Sequence, residues 1–143
     1  MIKSISINDQ SIYQKYLYLR WFLLRKPLGG PPGSEIDSHE TEAFHMAVID
    51  NNGEIIGVGR IHFIDSIAQI RYMAITKENR IKGYGSSLMK ELEKIALENN
   101  IKRVFLNSRI SAVDFYLKNG YQKIKKVSPS FGDIIHYRME KIL

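Results

Sequence analysis

The chain has 143 residues, 44% hydrophobic and 25% charged, with 21 Lys and Arg against 15 Asp and Glu for a formal net charge of +6. This length suits one domain around one core, residues 1–143; no apolar run approaches the roughly 18 residues of a membrane span, and Met1-Ile2-Lys3-Ser4 turns polar at once, unlike a signal-peptide core. The absence of cysteine excludes disulfides, thiolate metal sites and a cysteine nucleophile, so the expectation is a cytoplasmic protein without a metal, a membrane contact or, since its basic residues are scattered, a nucleic-acid partner.

Ser4 to Ile7 alternates polar and apolar, which predicts a short strand. Asn8-Asp9 supplies helix-capping side chains, and Ile12, Tyr16, Leu19 and Leu23 follow at helical spacing until Pro27. Lys26 to Glu42 holds three prolines and three glycines without a period, and reads as a loop or a pair of short turns, either a lid or a disordered segment. Ala43–Ile49 and Glu54–Phe63 are strand-like, joined by the hairpin signal Asp50-Asn51-Asn52-Gly53. Ile67–Ile75 is a third strand.

From Gly85 the period becomes helical, with Leu88, Leu92, Ile95 and Ala96 on one face and Asn99-Asn100 closing the helix. Arg103–Leu106 is a buried-type strand. Ser111–Lys118 is a short helix stopped by Asn119-Gly120. Tyr121–Val127 and Ile134–Ile142 are two final strands, paired with each other. The order predicts an α+β (mixed α/β) domain: a central mixed, mostly antiparallel sheet flanked by helices.

The segment from Thr76 to Gly85 joins a strand to a helix. Glycines at 83 and 85 let a ligand approach the backbone, and the helix start offers unpaired N–H groups and a positive dipole end, which together bind phosphate. Arg80 and Lys82 add charge; Ser86 and Ser87 add hydroxyls. Arg-x-x-Gly-x-Gly alone arises by chance in about one chain of this size in thirty at average glycine usage, so an ordinary tight turn stays open. The dinucleotide pattern fails at Leu88, and the P-loop pattern fails because Lys82 precedes Gly83.

Four blocks together say more. They are Ala68-Gln69-Ile70-Arg71-Tyr72-Met73-Ala74-Ile75, then Arg80-Ile81-Lys82-Gly83-Tyr84-Gly85-Ser86-Ser87-Leu88-Met89, then Val104-Phe105-Leu106-Asn107, then Ala112-Val113-Asp114-Phe115-Tyr116-Leu117-Lys118-Asn119-Gly120-Tyr121. In order and spacing, over roughly residues 43 to 143, the chain resembles the GNAT superfamily of N-acetyltransferases, the last block resembling that family's A-x-x-F-Y-x-x-x-G-F/Y signature.

The resemblance implies acetyl-CoA as co-substrate and an amine acceptor. It implies that Arg80, Ile81, Lys82, Gly83, Tyr84, Gly85 and Ser86 hold the pyrophosphate of CoA, and that Met73, Ala74 and Ile75 line its pantetheine arm beside a splay in the sheet. Asn107, at a strand end, reaches the cofactor or is a turn residue. Tyr116 corresponds to a tyrosine that protonates the departing thiolate, and it also contacts the cofactor; a phenol of pKa ~10 suits a thiolate of pKa ~8.5.

The general base is open. Gln69 stands where the protein-lysine-acetylating branch has glutamate, and glutamine cannot accept a proton. Glu35, Glu40, Glu42, His45 and His62 are candidates, His62 first, with a water chain as the alternative. His136 either faces the acceptor pocket or is a structural histidine. Arg20 and Arg25 either pair an acidic acceptor or are solvated helix charges. The expected activity is direct acetyl transfer to a primary amine of a small molecule. Protein-lysine or N-terminal acetylation and a non-catalytic acyl-CoA-binding module are the rivals, and a homodimer through the final strands is possible.

Overall fold

Seven strands form one sheet in the order β1-β2-β3-β4-β5-β7-β6. The structure, a computed structural model, describes residues 1–129 and 131–143. Along the chain come β1 (Ile2–Ile5), α1 (Gln10–Leu24), β2 (Phe44–Ile49), β3 (Ile55–Ile64), β4 (Ile67–Ile75), α2 (Tyr84–Glu98), β5 (Arg103–Arg109), α3 (Val113–Lys118), β6 (Gln122–Val127) and β7 (His136–Ile142). Single 3-10 turns lie at Lys26–Leu28, Lys77–Asn79 and Ile110–Ala112. No helix among the described residues is long and apolar enough to cross a membrane.

The sequence reading placed most of these elements, with small shifts at the ends. The first strand is Ile2–Ile5, not 4–7, because residues 2 to 5 pair with Val48 to His45. Asp9 occupies the cap position of α1, but its side chain makes no capping bond. The 50–53 turn is held by Asp50, whose Oδ1 accepts from the N–H of Asn52 and of Glu54, each at 2.9 Å. The final strand begins at His136 and pairs antiparallel with both β5 and β6.

Period-2 alternation gives the inner strands two different faces. Met46, Val48, Ile56, Ile61, Ala68, Ile70, Val104 and Leu106 join Leu88, Met89, Leu92 and Ala96 of α2 in the larger core. Ala47 and Val58 face the other way and join Ile5, Tyr13, Tyr16 and Leu17 under α1. Burial of such side chains, about 1.5–3 kcal/mol each, is the main drive for docking both helices.

Between these apolar layers the α1 face carries buried charge. Arg20 and Arg60 are fully buried. Arg20 Nη1 donates to Glu40 Oε1 at 2.8 Å, and Arg60 Nη1 and Nη2 donate to Asp37 Oδ1 and Oδ2 at 2.6 and 2.8 Å. Arg60 Nη1 also reaches Glu40 Oε1 at 3.2 Å, and Tyr13 Oη donates to Glu40 Oε2 at 2.7 Å. Two paired charges in a dry layer are tolerated because each carboxylate accepts several bonds. The network pins the segment between α1 and β2. Trp21 Nε1 to Gly30 O (2.8 Å) and Arg25 Nε to Ser34 O (3.0 Å) fasten the same segment further along. Residues 26–42 are thus a strap tied by four side chains of α1 and its C-cap and by Arg60 of the sheet, not a disordered loop.

His45 and His62 belong to this layer. His45 Nε2 donates to the Glu40 carbonyl at 2.9 Å, which leaves Nδ1 to accept from Arg20 Nη2 at 3.3 Å. His62 lies stacked on His39 with ring centroids 4.1 Å apart, and its Nδ1 is 3.1 Å from Arg60 Nη2. Burial, then the Arg60 charge, lowers His62 to about 4, and burial lowers His45 as well. Burial alone would raise Asp37 and Glu40, but their arginine partners outweigh it and hold both carboxyls below the usual range.

Two predictions follow from this layer. Glu40→Ala leaves Arg20 buried without its counter-charge and is expected to lower the unfolding free energy in urea by about 3 kcal/mol or more, whereas exposed Glu42→Ala changes it by less than about 0.5 kcal/mol. Equal effects of the two would show that the buried pair is not stabilising. On acidification, the unfolded chain takes up protons on its histidines near pH ~6.5 while folded His62 resists until about 4. Stability therefore falls with pH through that window. Below pH ~4 the depressed Asp37 and Glu40 carboxylates resist protonation in their turn, and stability falls further. His62→Gln should flatten the upper limb and Asp37→Asn the lower one; an unchanged upper limb in His62→Gln would refute the neutral buried histidine.

Candidate functional site

Among the described residues β4 and β5 are the one parallel pair, and their register covers only Ala68↔Val104 and Gln69↔Phe105. Past these residues the strands part. The gap is a cleft of about 210 Å³, walled by β4 from Gln69 to Met73, by β5 from Leu106 to Arg109, and by Leu24, Ala112, Tyr116 and His136.

The β4 wall carries an extra residue. Val58 pairs with Ala74 and Arg60 with Arg71, so Gly59 alone opposes Tyr72 and Met73. This bulge is reached through Tyr72 at φ +59°, a conformation that costs a bulky residue roughly 1–2 kcal/mol. It breaks the alternation, so Arg71 and Tyr72 both turn to the α1 face. There the guanidinium groups of Arg20, Arg71, Arg60 and Arg25 lie 4.4, 4.7, 4.9 and 5.4 Å from the Tyr72 ring centre. Cation–π attraction, about 0.5–2 kcal/mol per contact, is sufficient to hold the strained residue.

The 80–86 segment lies beyond the C-terminal end of β4. Gly83 is the N-terminal cap of α2 at φ +84°, and a Cβ there would meet open space; the residue is glycine for its backbone angle. Gly85 has another reason. A Cβ at 85 would lie 3.0 Å from the Phe115 ring, so this glycine lets α2 pack against α3. Arg80 Nε donates to Ile75 O at 3.0 Å, and Ile81 and Lys82 are exposed. The first turn of α2 holds no acidic residue, so its N–H groups and dipole face a positive surface.

Tyr116 is buried between Phe115 and Tyr121, with ring centres 5.0 and 6.0 Å away, and borders the cleft. Burial raises its hydroxyl above the ordinary tyrosine value, opposed only in part by the Arg109 charge, so the phenol stays protonated at neutral pH. Asn107 is exposed on the β5 wall.

The candidate bases fare differently. Glu35, Glu40, Glu42, His45 and His62 are all absent from the cleft wall. Glu40 and His45 serve the buried layer, Glu35 Oε1 accepts from Gly33 N at 2.7 Å, and Glu42 pairs with His39. Arg20 is a buried pairing partner and not a solvated helix charge. His136 does border the cleft. Its Nδ1 is 2.7 Å from Ile134 O, and since a carbonyl only accepts, Nδ1 carries the hydrogen, which makes Nε2 the ring nitrogen free to exchange a proton. Arg109 borders the cleft as well and was not singled out from sequence, because no motif marks it.

Residues 11–121 match the acetyltransferase (GNAT) family. The uncharacterized N-acetyltransferase YjcF of Bacillus subtilis (strain 168) is 29% identical over 140 residues, covering 98% of this chain and 99% of that protein. Among solved structures, an aminoglycoside 6'-N-acetyltransferase complexed with coenzyme A superposes with a TM-score of 0.81 at 15% identity, covering 99% of this chain and 96% of that one. An acyl-CoA N-acyltransferase from Pseudomonas aeruginosa gives 0.82 at 17% identity, covering 99% and 98%. The fold is thus shared with these structures, and the match over residues 11–121 shows that the chain belongs to the GNAT family of acetyltransferases.

Proposed function

We propose that the chain is a single-domain N-acetyltransferase that passes an acetyl group from acetyl-CoA to the primary amine of a small molecule, by direct attack with both substrates bound. One observation carries this reading: the β4–β5 cleft has a protonated, buried tyrosine in its wall, and the β4 strand that forms the facing wall runs on into the loop that carries Arg80 and Lys82 to the start of α2.

Acetyl-CoA supplies a thioester that an amine can cleave directly. The N–H groups from Arg80 to Ser86, with the Arg80 and Lys82 side chains, suit its pyrophosphate. Met73, Ala74 and Ile75 present the β4 edge beyond its register with β5, which leaves backbone groups for the pantetheine amides and one N–H for the thioester oxygen. Asn107 offers a side-chain amide from the opposite wall. Tyr116 gives a hydrogen bond, then a proton, to the sulfur as the C–S bond breaks. His136 Nε2 takes the proton that the attacking nitrogen loses. The small cleft volume supports a small acceptor over a folded protein tail.

Calorimetric titration with acetyl-CoA tests the cofactor assignment. The parent is expected to bind, and Gly83→Glu, which adds a negative side chain at the helix start, is expected to bind at least about tenfold more weakly. A folded parent that does not bind would overturn the reading. With a turned-over amine, Tyr116→Phe should lower kcat about a hundredfold while leaving KM for acetyl-CoA nearly unchanged. An unaltered kcat would remove Tyr116 as the acid and favour a binding module.

His136→Phe makes a separate prediction. At neutral pH it should lower kcat/KM about a hundredfold, and the deficit should shrink as rising pH supplies the amine already deprotonated. A constant deficit across pH would mean that His136 only shapes the cleft.

A further inference from the structure

We infer that the acceptor is an amine that also carries an anionic group, a carboxylate or a phosphate, held by Arg109 in the cleft wall, with the buried charge of Arg25 behind it. The inference rests on the acetyltransferase reading above and names the chemistry of its acceptor.

The cleft wall contains Arg71, Arg109 and His136 but no Asp or Glu. Arg71 is already offset, since its Nη1 donates to Asp37 Oδ2 at 2.7 Å. The other buried arginines of the α1 layer, Arg20 and Arg60, are paired with Glu40 and Asp37. Arg25 and Arg109 differ from all three: among the described residues neither has a carboxylate within ion-pair reach. Their hydrogen bonds go to backbone carbonyls, and the Tyr72 phenol lies beside Arg25 as well. Arg109 Nη2 donates to Leu24 O at 2.9 Å, Arg25 Nη1 donates to the same oxygen at 3.2 Å, and Arg25 Nε donates to Ser34 O. Leu24 itself borders the cleft, so two guanidinium groups converge there on one oxygen.

A helix C-terminal carbonyl offers only a partial negative charge. Arg25 is 5% exposed, and Arg109 is half-buried. Burial lowers both from the ordinary arginine value; Tyr72 partly offsets this at Arg25, where the charges of Arg71 and Arg109 lower it further, and Tyr116 partly offsets it at Arg109. Three like charges are therefore close enough to oppose one another in a partly dry site, which is costly until an anion arrives. The Nε and Nη1 of Arg109 have no acceptor among the described residues, and a guanidinium is the side chain suited to carboxylate or phosphate oxygens. Arg109 also sits near Tyr116 in the same wall, so an anion held there leaves the amine of a short molecule within the transfer site. A polycationic acceptor would meet like charge in this wall and no counter-charge.

Matched acceptors test this. Thiol release from acetyl-CoA is followed with an α-amino acid and its amide, with an amino-sugar phosphate and the plain amino sugar, and with spermidine. The charged member of one pair is expected to exceed its neutral partner in kcat/KM by at least about tenfold, the effect of one charge-assisted bond, and the pair that responds tells carboxylate from phosphate. Arg109→Gln should reduce that ratio to near one, and Arg109→Lys should keep part of it. Equal rates within both pairs, or a preference for spermidine, would overturn the inference. So would a loss of acetyl-CoA affinity in Arg109→Gln with the ratio unchanged, which would assign the arginine to the cofactor. Thermal shift of the parent with the same acceptors and no acetyl-CoA separates this inference from the catalytic reading. Stabilisation by the charged members alone, lost in Arg109→Gln, upholds the anion site even if no amine releases thiol; stabilisation by neither member refutes it.

Discussion

One extra residue in β4 governs the site. Because Tyr72 and Met73 together oppose Gly59, the side chains of Arg71 and Tyr72 emerge on the same face, along the part of β4 that lies beyond its register with β5. The parting of two parallel strands is the cleft, and Asn107, Arg109, Tyr116 and His136 border it. The strain at Tyr72 is held by the arginines that surround its ring, so the bulge and the charged layer under α1 depend on each other.

That layer joins two tasks. Asp37 and Glu40 lie on the strap between α1 and β2, and their arginine partners lie on α1 and on β3 and β4. The strap is thereby fixed against the face where an acceptor would approach. A segment rich in proline and glycine has little order of its own, since it has no periodic apolar face to bury. Here its order comes from carboxylates that must sit over buried guanidinium groups, because an arginine stripped of water and left unpaired would cost several kcal/mol. The same rule marks Arg25 and Arg109, whose charges the chain does not neutralise.

The two glycines of the loop show how one motif can answer to two causes. Gly83 meets the backbone requirement at the start of α2, while Gly85 makes room for Phe115 and so sets the position of α3 and of Tyr116. A substitution at 85 would therefore act on the cleft wall through packing against Phe115, whereas one at 83 acts on the backbone at the start of α2.

Local pattern determined a good deal by itself. Ile67–Ile75 was legible to the residue as a strand, the hairpin at Asp50–Gly53 was legible from turn chemistry, and the helix after Gly85 from its apolar spacing, because each is decided by neighbours within a few positions. Four blocks in order were enough to point to the family, and Tyr116 and the 80–86 loop lie within those blocks. The role of the charged residues was not legible. Arg20 and Glu40, or Arg60 and Asp37, are 20 and 23 positions apart and carry no periodic signal, so only the folded chain shows that they pair. The bulge at Tyr72 was hidden because an inserted residue changes register against a partner strand, not composition. His136 was open between the pocket and a structural role, and Arg109 carried no signal; the two meet at the cleft because β5 and β7 lie side by side with those residues in register. Sequence decides what each segment can form; which distant charges must share a dry layer is decided by packing, where the cost of burying a charge depends on what else is buried with it.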